Sequence, residues 1–138
     1  MSELSKLEVL IGEWRPEVPG ADIPAKVTFE WLEGGGFVIQ RSTVEATDFP
    51  NGVMVIGATG PGGGLQQHYF DSRGVHRVYE MTLEDGEWIL FREGPDWPQR
   101  YVGQISDDAS RITGRWERGE SLGAPLKLDF ELNYTRLT

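Results

Sequence analysis

From Gly12 to the end of the chain, apolar and polar residues alternate in short runs, and this period of two restricts the fold more than any other feature. In the last segment Leu126, Leu128, Phe130, Leu132 and Tyr134 share one phase, and Lys127, Asp129, Glu131, Asn133 and Thr135 the other. That is the pattern of a strand with one buried and one wet face. Val27, Phe29 and Trp31 against Lys26, Thr28 and Glu30 repeat it, as do Ile112, Gly114 and Trp116 against Arg111, Thr113, Arg115 and Glu117. Further strands are expected near residues 12–16, 36–45, 53–58, 64–72, 75–83, 87–92 and 99–106, about ten in all. So many short strands, separated by Gly, Asp, Asn and Pro, predict an all-β fold, a closed antiparallel up-and-down barrel. Only Leu4, Leu7, Leu10 and Ile11 follow helical spacing; with Ser5 and Glu8 at capping-box separation they predict a short N-terminal helix ending at Gly12.

A chain of 138 residues is expected to form a single domain over residues 1–138 around one core. Its formal charge of -9 repels phosphate backbones and anionic headgroups, which argues against nucleic acid and membrane as partners. The absence of cysteine removes disulfides, thiolate nucleophiles and Cys-ligated metals together. Glu3, Lys6 and Glu8 interrupt the apolar residues of the amino-terminal segment, unlike the apolar stretch of a signal peptide, so a cytoplasmic location is expected. The glycine-rich runs at 34–36 and 60–64 read as loops; neither is followed by the Lys-Ser/Thr of a phosphate-binding loop.

Turn chemistry assigns side chains to faces. Asp85-Gly86 is a strong two-residue hairpin signal, and Arg73-Gly74 a weaker one. If both turns hold, His68 lies opposite Tyr79 and Tyr79 opposite Arg92, and one inner face carries Gln66, His68, Phe70, Arg77, Tyr79, Met81, Leu83, Trp88, Leu90 and Arg92. Asp71 and His76 then face each other on the outside. The row His68, Tyr79, Arg92, with Arg77 nearby, is the candidate ligand site, and Phe29, Trp31, Trp88, Tyr101 and Trp116 are its expected aromatic lining. Arg41 shares the phase of Phe37 and Ile39, which places it inward unless the glycine loop before it shifts the register. An inward arginine needs a carboxylate, an incoming anion or water. His68 alone reads either as a structural histidine or as a ligand or general base; no catalytic set is assembled around it, and no metal site is expected. Trp97, between Pro95 and Pro98, reads either as a lid or as a plug for one barrel end.

Gly12-Glu13-Trp14 after a short helix, with Arg136 on the final strand in the inward phase of Leu132 and Tyr134, resembles the calycin signature. There a first-strand Trp packs under a late Arg at the closed end of the barrel. Strand number and length resemble the ten-stranded fatty-acid-binding-protein-like and nitrobindin-like barrels of that lipocalin-like group, and Glu30-Trp31-Leu32-Glu33-Gly34-Gly35 is similar to small bacterial members of uncharacterised role. Nitrobindins hold haem through a His on the last strands, whereas residues 126–138 contain none; only His68 and His76 are left. The fatty-acid binders carry Arg-x-Tyr on the last strand, and this chain reads Tyr134-Thr135-Arg136, the reverse order.

The function expected is binding of a small, partly hydrophobic molecule in the barrel, without a cofactor, its polar or anionic end near His68, Tyr79 and Arg92. Two alternatives stand beside it: a cofactor-free cyclase or isomerase using His68 and Tyr79, and nitrobindin-like haem binding. A small-molecule ligand is the expected partner, and a homodimer is the assembly the reading allows.

Overall fold

The computed structural model describes residues 3–22, 24–45 and 50–138. A 3₁₀ helix at Leu4–Leu10 precedes β1 (Gly12–Glu17), β2 (Ala25–Trp31), β3 (Val38–Val44), β4 (Gly52–Gly57), β5 (Leu65–Asp71), β6 (His76–Glu84), β7 (Glu87–Arg92), β8 (Gln99–Ile105), β9 (Arg111–Arg118), β10 (Lys127–Glu131) and β11 (Asn133–Arg136). Consecutive strands from β1 to β9 pair antiparallel, and β11 joins β9 to β1 and closes the ring. β10 and β11 are two halves of one final strand, so the wall is a closed ten-strand antiparallel barrel.

Trp14, Phe29, Val38, Ile56, Leu65, Met81, Leu83 and Ile112 are buried with Leu7 and Leu10 of the helix, forming a solid closed end. The helix starts after Glu3, and no side chain caps it there. The Ser5–Glu8 pair expected as a capping box does not stand at the helix start, because the N-cap is Glu3 and Ser5 lies inside the helix; Glu8 accepts a hydrogen bond from Trp31 Nε1 at 2.9 Å. Arg136 locks this end. Its Cζ stands 4.1 Å from the centre of the Trp14 ring, while the guanidinium donates to the carbonyls of Ala109 (2.7 Å), Ile11 (2.8 Å) and Val9 (2.5 Å). Trp14 Nε1 donates to Leu10 O at 2.9 Å, so helix, first strand and last strand are tied at one point.

Two registers depart from expectation. Asp85, with φ of 53°, and Gly86, with φ of 77°, form the anticipated turn, and Glu84 faces Glu87. At the preceding hairpin, however, the turn spans an additional residue. Gly74 N donates to Asp71 O (2.9 Å) and Asp71 N to Val75 O (3.1 Å), with Gly74 at φ of 83°. This is a type I turn closed by a left-handed glycine, and the extra residue shifts the pairing by one. His68 therefore faces Val78, and Gln67 faces Tyr79. Every β5 side chain turns over: Gln66, His68 and Phe70 lie outside, and Leu65, Gln67 and Tyr69 inside. In β10 a bulge between Leu128 and Phe130 sets Leu128 opposite outward Glu117 but Phe130 opposite Trp116. Leu128 is thus exposed on the outer surface, and the inward phase of the last strand begins only at Phe130.

Candidate ligand cavity

Among the described residues the end opposite the helix is open. There the inward residues above the aromatic layer leave a cavity of about 790 Å³. Its wall includes Val27, Met54, Tyr69, Tyr79, Trp88, Leu90, Tyr101, Trp116, Leu132 and Tyr134, and its rim Arg15, Glu17, Arg77, Gln99 and Arg111. Two glycines help create the space. Gly103 and Gly114 face each other across β8 and β9, and the Tyr101 ring lies flat against both. A Cβ on Gly114 would stand 2.5 Å from Tyr101 Cζ, and one on Gly103 would stand 2.8 Å from Cε2. Tyr101 donates from its hydroxyl to Leu132 O at 3.0 Å, while Trp88 and Trp116 pack on it at centroid distances of 5.2 and 5.4 Å. Burial raises the pKa of Tyr101 and of Tyr134 well above the ordinary tyrosine range, so both remain neutral phenols.

Of the residues singled out from sequence, Arg77, Tyr79, Trp88, Tyr101 and Trp116 line this cavity. Phe29 and Trp31 point inward but sit in the closed end: Phe29 is buried against Trp88 at 6.0 Å, and Trp31 reaches the helix. Arg41 is on the outside, paired with Glu30, because the loop from Leu32 to Phe37 sets Trp31 against Val38 and makes Val38, Gln40 and Ser42 the inward set. His68 is also outside, in a stack of near-parallel rings with His76 (6.0 Å), which itself stacks on Phe70 (4.8 Å). An acid–base pair of His68 with Tyr79 across the interior is therefore not formed. Neither histidine can reach an iron in the cavity, and haem held through a histidine does not fit these residues.

Arg92 and Tyr79 are joined, but by a residue the sequence reading missed. Gln99 Oε1 accepts from Arg92 Nε (2.7 Å), Tyr79 Oη (3.1 Å) and Arg77 Nη1 (3.5 Å). Gln99 shares the inward phase of Tyr101, which was the available signal. Arg92 is buried behind this wall, and its charge is matched by Asp96 at 2.9 Å with Gly94 O at 3.2 Å, which anchors the 93–98 loop. Trp97 of that loop sits among three guanidinium groups, with Cζ distances of 4.1 Å to Arg118, 5.7 Å to Arg92 and 5.9 Å to Arg77. It packs beside the mouth rather than closing it.

Asp71, expected on the outer face beside His76, points the other way, and its side chain has no exposed surface. It accepts from Arg73 Nη2 (2.6 Å), Tyr69 Oη (2.6 Å) and the amide of Arg73 (2.9 Å). The Arg73 guanidinium, with help from Tyr69, holds this carboxyl well below the usual carboxylate range. Burial, reinforced by Asp71, pushes Tyr69 up to about 12. A carboxylate with a depressed folded pKa stabilises the fold above its unfolded value and loses that contribution as pH falls. Stability should therefore drop as pH falls below about 4, and Asp71→Asn should be less stable at neutral pH and flatter across the acid range. Chemical denaturation at several pH values checks this; parallel profiles would contradict it.

No family model matches the chain, and no curated protein matches it either. Six solved chains do match. The crystal structure of Rv2717c from M. tuberculosis aligns over 100% of this chain and 99% of that one, with a TM-score of 0.65 and 14% sequence identity. The fold is shared. At that identity the likeness extends to the barrel architecture alone, and the chemistry must be read from the cavity itself. Among the described residues no helix is long and apolar enough to cross a membrane.

Proposed function

We propose that the barrel binds a small amphipathic anion, its apolar body against Trp88, Leu90, Tyr101 and Trp116 and its head at Arg77 beside Tyr79 and Gln99. Arg77 carries the reading. Among the described residues this rim guanidinium has no carboxylate partner, and its only polar contact is the 3.5 Å approach to Gln99. A lining arginine without a counter-ion above a neutral aromatic pocket favours a ligand that brings the negative charge itself. Of the other charges lining the cavity, Glu17 pairs with Arg111 at 3.1 Å and Arg15 at 3.7 Å and accepts from Thr135 at 2.6 Å, and Asp22 is a further carboxylate in the lining.

Cavity volume and aromatic lining also agree with the lipocalin-like resemblance, in which binding rather than catalysis is the usual role. With His68 outside the barrel, no observation favours an acid–base enzyme over a binder.

Anilinonaphthalenesulfonate, an apolar anion that fluoresces when desolvated, tests the proposal. It should bind saturably at one site per chain, and Arg77→Met should weaken it about tenfold with unchanged thermal unfolding. No binding by the folded protein, or equal affinity in the variant, would overturn the proposal.

A further inference from the structure

We infer that the ligand carries a second polar group, neutral and able both to donate and to accept a hydrogen bond, at the end opposite its anionic head. This rests on the binding reading above and names the class of molecule: an amphipathic anion with a hydroxyl, or a group of equivalent chemistry, at its buried end.

The inference comes from depth. Counting inward residues from the mouth, β3 presents Val44, Ser42 and then Gln40; β7 presents Arg92, Leu90 and then Trp88; and β5 presents Asp71, Tyr69 and then Gln67. The third position on each strand is an inward residue below the rim. Of these, Gln40 is 4% exposed, Gln67 3% and Trp88 1%, yet Gln40 Oε1, Gln67 Oε1 and Trp88 Nε1 have no hydrogen-bond partner among the described residues. Gln40 and Trp88 both line the cavity, and both border Phe29: Gln40 is its register partner on β3, and the Trp88 ring meets it edge-on at 6.0 Å.

Buried polar atoms are nearly always paired, and a cavity wall holding an orphaned acceptor on Gln40 and an orphaned donor on Trp88 is costly unless something placed there satisfies both. The set is also selective in kind. Carbonyl oxygens need a donor and an indole N–H needs an acceptor; a hydroxyl supplies both, and a bare alkyl end supplies neither. A carboxylate is disfavoured there, because it brings no donor for the Gln40 carbonyl oxygen and, among the described residues, no cation lines that part of the wall. The ligand therefore has one orientation: charge at the Arg77 rim, neutral polar group beside Gln40 and Trp88.

Displacement of anilinonaphthalenesulfonate by dodecanoate and by ω-hydroxydodecanoate distinguishes the two claims. On the wild-type protein the hydroxy acid should displace the dye at roughly tenfold lower concentration than the plain acid. Gln40→Leu should abolish that preference without weakening dodecanoate, whereas Arg77→Met should weaken both acids alike. Equal potency on the wild type, or a preference that survives in Gln40→Leu, overturns the inference and leaves the binder intact. Failure of dye and both acids to bind overturns the binder and the inference with it. The wild-type comparison decides even if the Gln40 variant does not fold.

Discussion

Replacing Arg136 by Leu should lower the unfolding free energy by about 4 kcal/mol, the largest effect we expect from any single change in this chain. The guanidinium donates to Ala109, Ile11 and Val9 while covering the Trp14 ring. Hydrogen bonds from a charged donor are worth ~1.5–3 kcal/mol each, and a stacked cation ~1 kcal/mol more; partial rehydration of the freed carbonyls brings the sum down to the stated loss. Thermal midpoints should fall by roughly 12 °C. Arg136→Lys should restore less than half, because an ammonium group cannot present the planar fork that reaches three carbonyls at once. Guanidinium denaturation of the three proteins measures this directly; a loss below about 1 kcal/mol in the leucine variant would show that the closed end holds without its clamp.

Gly114→Ala comes second and acts on the cavity as well as on stability. One methyl group at this position meets the Tyr101 ring at Cζ, 2.5 Å away, so the ring must leave the wall and swing into the interior. Overpacking of this kind costs about 2 kcal/mol, and the hydrogen bond from Tyr101 to Leu132 is lost with it. Because Tyr101 moves toward the ligand's place, anilinonaphthalenesulfonate affinity should also fall, by tenfold or more. Combining Gly114→Ala with Tyr101→Phe should recover only part of either loss, since ring carbon as well as hydroxyl blocks the methyl. Full recovery, or wild-type dye binding in the single variant, would contradict this account. The substitution looks conservative in sequence, yet it tests whether the cavity is maintained by the backbone rather than by any polar residue.

Alternation in the sequence was enough to place the strands and the ring, because a period of two is a local property that each strand carries alone. The Asp85-Gly86 turn was equally local, and with it the inward order of Tyr79, Met81, Leu83, Trp88, Leu90 and Arg92. Legibility failed where one residue more or less decides a face. The loop Asp71-Ser72-Arg73-Gly74 supports two hairpin geometries, and the choice depends on Asp71 capping its own turn through Arg73 and Tyr69, a contact that exists only after folding. His68 went to the wrong side for this reason, as did Arg41 behind the glycine-rich loop and Leu128 before the β10 bulge. Gln40 and Gln67 were invisible for a related cause: a glutamine in a strand is unremarkable until its neighbours are known to leave it without a partner.

The final strand has a further consequence. Among the described residues β10, where it runs along the mouth, pairs with β9 alone, and its residues are exposed throughout. Its free edge is guarded by Lys127, Asp129 and Glu131, charges that discourage another chain from docking there. A strand paired on one edge and exposed throughout is the part of the wall that opens at least cost, and it lies at the pole opposite the Arg136 clamp. On the proposal that the barrel takes a ligand, substitutions along β10 should change its exchange rate with little effect on the melting temperature.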